Sequence, residues 1–461
     1  MRYRQKNLVF NLENGAVNFM QKLKSRLALS TLLIVSALSL THQAKAENLT
    51  EVYRLAEQFD PTLRAAAQAR AAARENLPQA QANFLPNVGF TGSSAYAWVE
   101  YPSLPSANSD SNNYSLNLNQ SLYNRQNFSL LDKANLVVQQ ADVNYADSQQ
   151  ELILRVTQSY FEVLRTGAAF TLAKSDLEAA QKRFEQTQKR YDVGLIPVTD
   201  LADAMAARDQ RSAAVIKAEN TLAFAKEGLR TITGRSIEQL DDVSEALRLL
   251  QPVPNDSKAW IAFAEKQNLK LQSAEMGVNI NREEIEVQRS GHYPTLDLVA
   301  SYAYQEPAVL SSSAINNSSY YEGQIGVQLN VPLYTGGAVN SRTRQATYSF
   351  QQSQDQYEAT RLDTVRNTMD AFRTVNAKID EIKAYQQGKK SAEMQLEANE
   401  AGYQVGTRTI VDVINAQNQL SLAVSNLNNS RYDYLITTIL LKRFAGTLAV
   451  SDLEYMQKQL Q

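Results

Sequence analysis

Two stretches of this sequence stay helical for longer than an ordinary domain is wide: about Arg125 to Asp192 and about Val339 to Tyr403. Few Pro or Gly interrupt them, and at the α-helical rise each spans roughly 100 Å. Helices of that length cannot wrap around one compact core, so they have to lie along other long helices. Each is followed by a shorter helical pattern, 198–233 and 410–445, of roughly 55 Å. In the first, Val215, Ala218, Leu222, Ala225, Leu229 and Ile232 alternate steps of three and four; in the second, Leu420, Leu427, Tyr434 and Leu441 recur every seven. This is the seam of a left-handed coiled coil. The long stretches carry Leu362, Val365, Met369, Phe372, Val375, Ile379 and Ile382 at helical spacing but are otherwise rich in Gln, Asn, Ser and Thr. One face is expected to pack and another to be wet, by a lumen or by outside solvent.

The members of each pair are separated by related turns, Val193-Gly194-Leu195-Ile196-Pro197-Val198-Thr199-Asp200 and Val405-Gly406-Thr407-Arg408-Thr409-Ile410-Val411-Asp412. Gly closes one helix, Asp stands early in the next, and Pro197 sharpens the first break. Both read as tips of antiparallel helical hairpins.

The turns are part of a duplication. Asp60-Pro61-Thr62-Leu63 aligns with Asn268-Leu269-Lys270-Leu271, Leu85-Pro86-Asn87-Val88 with Tyr293-Pro294-Thr295-Leu296, Ser121-Leu122-Tyr123 with Pro332-Leu333-Tyr334, and Thr231-Ile232-Thr233-Gly234 with Arg443-Phe444-Ala445-Gly446, in constant order. Self-similarity over so long a period means one unit used twice. The expected organisation is a first repeat over 47–250, a link at 251–256 around Pro252 and Pro254, and a second repeat over 257–461. Each repeat reads helix, strand, strand, long helix, helix: 48–83, 85–100, 112–124, 125–192 and 198–233, then 257–291, 293–305, 321–334, 339–403 and 410–445.

The strands alternate with a period of two. Tyr114, Leu116, Leu118 and Leu122 oppose Asn113, Ser115, Asn117, Asn119 and Ser121; Ile325, Val327, Leu329, Val331 and Leu333 oppose Gln324, Gly326, Gln328, Asn330 and Pro332. They are long enough to cross an outer membrane. Tyr96, Trp98, Tyr114, Tyr302, Tyr304 and Tyr321 gather toward the loops Tyr101–Asn112 and Glu306–Tyr320, where an aromatic girdle would lie. A soluble sandwich with one wet face is the competing reading. Four strands cannot close a barrel and an open edge cannot sit in lipid, so copies must associate, as eight strands from two or twelve from three.

An N-terminal signal supports export. Lys22, Lys24 and Arg26 precede the apolar run Leu27–Leu40, followed by the small-x-small site Ala44-Lys45-Ala46. The expected signal is 1–46, with initiation at Met1 or Met20; a retained anchor is the alternative. The formal net charge is -2, which gives no electrostatic case for nucleic acid. There is no Cys, and His42 and His292 are the only His, so neither a thiolate or metal centre nor a nucleophile–base set is available. No enzyme activity and no cofactor are expected. A purely structural coiled-coil tether between envelope layers is the alternative to a duct.

The stretch Ala401-Gly402-Tyr403-Gln404-Val405-Gly406-Thr407-Arg408-Thr409-Ile410-Val411-Asp412-Val413, with Gly291-His292-Tyr293-Pro294-Thr295-Leu296-Asp297-Leu298 and Val331-Pro332-Leu333-Tyr334-Thr335-Gly336-Gly337, resembles the TolC family of outer-membrane efflux proteins. The likeness covers essentially the whole mature chain. It implies a homotrimer with twelve strands in one outer-membrane β-barrel, continued by twelve helices in a periplasmic tunnel. It implies a periplasmic adaptor (membrane fusion) protein and, through it, an inner-membrane transporter of RND, ABC or MFS type. The function implied is an exit duct for drugs, toxic small molecules or secreted proteins. Matched position by position, the resemblance makes Thr199, Asp200, Tyr403 and Arg408 gate residues that tie neighbouring coils at the periplasmic end. It makes Asp412 the first acidic ring of the entrance constriction. The second ring position is Asn415 here, a departure that removes negative charge. Val193, Gly194, Leu195, Val405, Gly406 and Thr407 become the adaptor-docking surface.

Overall fold

The computed structural model describes residues 47–102, 104–244, 247–306 and 319–460; the expected signal 1–46 and most of the second expected loop lie outside the described residues. The N-terminal region of the first repeat is α1 (Leu49–Phe59), α2 (Pro61–Arg74) and α3 (Asn76–Ala82). One helix over 48–83 was the expectation. It breaks because Pro61 starts a new helix and the Asp60 side chain turns back to accept from the Leu63 amide at 2.7 Å. Asp60 also receives Arg155 Nη1 at 3.0 Å and Nη2 at 2.9 Å. Burial opposes ionisation of Asp60, but Arg155 and the Leu63 amide outweigh it and hold the carboxyl below the usual range.

In the second repeat the expected helix 257–291 is also divided, into α6 (Ser257–Gln267) and α7 (Leu269–Arg289) followed by a 3-10 turn at Ser290–His292. Asn268 occupies the place of Asp60, its side chain accepting from the Leu271 amide at 3.0 Å.

The long helices are α4 (Arg125–Asp192) and α8 (Ala338–Gln404), each paired with a shorter one, α5 (Val198–Thr233) and α9 (Ile410–Phe444). The upper part of α4 packs on α2, α3 and α7, and α7 also packs on α8, joining the two repeats side by side. A helix outside the expected set, α10 (Val450–Leu460), ends the described chain. It packs on α1, where Gln457 Oε1 accepts from the Leu49 amide at 2.9 Å. The irregular connection between the repeats runs from Gly234 to Asp256, longer than the expected link at 251–256.

The strands are β1 (Asn87–Tyr101), β2 (Leu104–Asn124), β3 (Thr295–Gln305) and β4 (Tyr320–Asn330), in one antiparallel sheet of order β1-β2-β3-β4. Two bounds differ from expectation by more than two residues. β2 begins at Leu104, because the Ser/Asn stretch read as a solvated loop stays in the ladder, with Ala107 opposite Val99 and Asp110 opposite Tyr96. Alternation stops where both faces are polar, but backbone pairing does not depend on it. β4 ends at Asn330 rather than 334, since Pro332 has no N–H to give a ladder.

The register puts Val88, Leu118, Ala300 and Ile325 in one row and Phe90, Leu116 and Tyr302 in the next, on the same face. Above them Tyr114, Tyr304 and Tyr321 form an aromatic row with ring centroids 6.1 and 5.3 Å apart. This apolar face is bare: Phe90 is 72% and Ile325 77% exposed. Lipid is the solvent that suits such a face beside a polar reverse of Asn117, Ser301 and Gln324. None of the described helices is long and apolar enough to cross a membrane.

The largest apolar core is a belt halfway along the helices. Leu49, Val52, Tyr160, Phe161, Tyr432, Leu435, Ile439 and Leu453 are buried there. The inter-repeat segment girdles it: Tyr160 Oη donates to the Asp241 carbonyl at 2.7 Å and Tyr434 Oη to the Leu250 carbonyl at 2.9 Å. Burial raises the Tyr53 hydroxyl pKa to about 12, with Glu57 adding to the effect. The helices thus emerge from the belt already aligned, and their lower ends carry the turns.

Candidate functional site

Both turns are made by Gly in the left-handed region, Gly194 at φ 74° and Gly406 at φ 81°. Their amides close the helices by donating to the carbonyls of Tyr191 (2.8 Å) and Tyr403 (3.2 Å). The second turn is tighter still, because a Cβ on Gly402 would sit 2.6 Å from Arg408 Cγ. Val193, Leu195 and Val405 project from the tips, each more than two-thirds exposed. Gly194, Gly406 and Thr407 are exposed beside them.

Asp200 and Asp412 both stand third in their helices, but their surroundings differ. Thr409 caps α9 and makes a reciprocal pair with Asp412: the Thr409 amide donates to Asp412 Oδ2 at 2.9 Å and the Asp412 amide to Thr409 Oγ1 at 3.2 Å. The Thr409 amide foremost, and then the Thr409 hydroxyl, which also donates to Asp412 Oδ2 at 2.9 Å, hold the Asp412 carboxyl below its ordinary pKa. The residue before α5 is Pro197, which has no side-chain cap bond. Among the described residues nothing bonds to the Asp200 carboxylate.

The expected gate residues do not meet within one protomer. Among the described residues no hydrogen bond or ion pair joins Arg408 or Tyr403 to Thr199 or Asp200. The Tyr403 hydroxyl is buried without a partner, while the Arg190 guanidinium lies 5.0 Å from the ring centroid. Asn415 is exposed, one turn above Asp412 on α9. A groove of about 590 Å³ opens beside the tips, bordered by Lys182, Arg183, Lys189, Arg190, Glu400 and Tyr403. Its charged lining is mainly cationic, four basic side chains against Glu400. No cluster of metal-ligating side chains occurs among the described residues.

Higher up, a polar chain crosses all four helices, and sequence reading missed it. Arg183 of α4 donates to Glu400 of α8 and to Gln417 Oε1 of α9, both at 2.9 Å. Gln417 Nε2 and Ser421 Oγ of α9 reach Asp176 Oδ1 at 3.1 and 2.8 Å. Arg211 Nη1 of α5 reaches Asp176 Oδ2 at 3.2 Å and its other arm bonds Asn418. Asp176 is 4% exposed. Removing one partner from a buried pair of this kind costs about 3–5 kcal/mol. The Arg183–Glu400 pair, with Glu400 46% exposed, is worth about 1 kcal/mol or less. The signal was present: Asp176, Ala180, Arg183 and Thr187 share one helical face, so Asp176 is a charge at a seam position.

The comparisons with known proteins agree with this geometry. The model of the family described as outer membrane efflux protein matches residues 52–235 and again 260–447, once per repeat. The outer membrane protein TolC of Vibrio cholerae is 37% identical over 91% of this chain and 96% of its own length. The alkaline protease secretion protein AprF of Pseudomonas aeruginosa is 27% identical over 90% of this chain and 88% of its own. Among solved structures, the outer membrane protein VceC of Vibrio cholerae superposes with a TM-score of 0.71 at 20% identity, covering 86% of this chain and 96% of that one.

Proposed function

The chain belongs to the outer membrane efflux protein family, and from that membership we infer that three copies close one gated conduit. The protein is an outer-membrane exit duct for efflux and for type I secretion, standing in the outer membrane and extending into the periplasm. The observation that carries the trimer is the open sheet, whose edge strands β1 and β4 each pair on one side only. Edge groups left unpaired in lipid are prohibitive, so β1 of one copy pairs with β4 of the next. Two copies would make eight strands, whose interior side chains fill the bore. Three make twelve and leave a lumen that continues between the helices.

At the far end Arg408 of one copy donates to Asp200 and Thr199 of its neighbour, with Tyr403 sealing beside them. The free Asp200 carboxylate and the orphaned Tyr403 hydroxyl support this reading. Asp412 and Asn415 ring the mouth inside the gate. The exposed tips Val193–Leu195 and Val405–Thr407 receive a periplasmic adaptor, and the cationic groove suits acidic side chains on it. The adaptor joins the duct to an inner-membrane transporter of RND, ABC or MFS type.

The test is the mass and conductance of detergent-purified protein. Three-copy particles that conduct in planar bilayers are expected, with drug and detergent hypersensitivity when the gene is deleted. Monomeric protein that never conducts would sink the proposal.

A further inference from the structure

The tips explain how the entrance is held shut, but not how far an opening movement travels up the helices. The polar chain around Asp176 supplies a limit. Asp176 lies sixteen residues above the end of α4, roughly 24 Å from the tip. Gln417 and Ser421, its two partners on α9, stand roughly 7–14 Å above Asp412 by the same rise. They are four residues apart, on one face of the helix, so both reach the same carboxylate.

Below this level the described polar links between the two hairpins are wet or partial, Arg183 to a half-exposed Glu400 and Arg190 over the Tyr403 ring, and the buried packing beside them, Ile410 and Val413, is apolar and separates without stranding a charge. At this level the carboxylate is buried, and α4, α5 and α9 all contribute to holding it. A buried carboxylate that loses its donors has only the small cavity beside it to supply others, so a partner that separates the exposed links leaves this one closed. Above it α9 enters the apolar belt through Tyr432 and Tyr434.

We propose that Asp176 is a positioning residue for transport: it pins α9 to α4 and α5 and forms the fulcrum about which the lower end of α9, with Asp412 and Asn415, swings. This rests on the reading of the tips as a closable entrance. Gln417 conveys the constraint outward, since the same carboxamide donates to Asp176 and accepts from Arg183. The length of tunnel that dilates is then set by where Asp176 stands, not by the docking partner.

The chain has no cysteine, so introduced thiols report only on themselves. Ala180 of α4 and Asn418 of α9, the latter between Gln417 and Ser421 at the level of the node, line the same small cavity. With Ala180→Cys and Asn418→Cys placed in a trimer loosened by Tyr403→Phe and Arg408→Ser, a short bismaleimide should bridge the pair. The raised bilayer conductance should survive within about a factor of two. A return to the closed value on bridging overturns the fulcrum, because α9 would then have to move at that level. A loosened trimer whose conductance is not raised before bridging counts instead against the gate.

A second arm needs no loosened tips. Asp176→Asn in the native trimer should raise conductance about fivefold, with the three-copy mass retained. Surviving Asp176→Asn trimers with unchanged conductance would show that the residue serves the fold alone.

Discussion

The two hairpin tips descend from one duplicated unit, and of the positions at which they differ, the one before the outgoing helix decides what becomes of the Asp they share. Both carry an Asp at the third residue of the outgoing helix. Before α9 stands Thr409, whose hydroxyl and amide tie Asp412 into the cap of its own helix. Before α5 stands Pro197, with neither an N–H nor a side-chain acceptor, so Asp200 remains uncommitted. The difference teaches how a repeat divides labour: the capped copy spends its charge on its own helix, and the uncapped copy leaves its charge uncommitted. Duplication supplied two equivalent carboxylates, and the capping residue decided which of them is tied down.

The comparison can be broken most forcefully at the gate. On the proposed gate, Tyr403→Phe with Arg408→Ser would remove the donors to Asp200 in every copy. Links of up to about 1 kcal/mol each, lost together, should raise single-channel conductance and antibiotic influx more than about tenfold. Asp200→Ala should reproduce much of this, and Asp412→Ala should not. Equal effects from the two aspartates would dissolve the distinction.

Charge at the mouth comes next. Asn415→Asp adds three negative charges per trimer one turn from Asp412, so a trivalent cation applied from the periplasmic side should block about tenfold more tightly. Block already as tight in the native pore would mean that Asn415 is away from the constriction.

A subtler test converts one tip into the other. Pro197→Thr should let Asp200 form the reciprocal cap seen at Thr409 and withdraw it from the neighbour. Conductance should then rise by about threefold although the hairpin itself becomes better capped.

The smallest effect is in pH. The Asp412 carboxyl is held below its unfolded pKa, so its cap is fully present above the ordinary carboxylate range and is lost as pH falls through the lower, folded value. Amide exchange at the start of α9 should therefore quicken on acidification, and Thr409→Ala should abolish most of that dependence. The start of α5 should show no comparable step.

How much of this could be read in advance depends on the kind of signal. Periodicity found the helical hairpins, since heptads such as Leu420, Leu427, Tyr434 and Leu441 repeat over many turns. Gly194 and Gly406 marked the turns because only that residue adopts their backbone conformation cheaply. The breaks at Asp60 and Asn268 were missed, because the flanking residues are good helix formers and the decisive event is a side chain turning back on its own backbone. The early part of β2 was missed because Ser and Asn report solvent on both faces and say nothing about pairing. The Asp176 node was missed because its three partners, Arg211, Gln417 and Ser421, come from helices up to 245 positions away.

Sequence alone determined the two long helical hairpins, the duplication and the apolar face of the strands, because each of these follows from spacing along one segment. The tertiary structure decided which polar groups at the seams are buried and shared, which aspartate is spent on its own helix, and how the inter-repeat segment girdles the belt. Those outcomes depend on distances between remote side chains, and a helical period fixes a residue's angle around its axis without fixing what stands opposite.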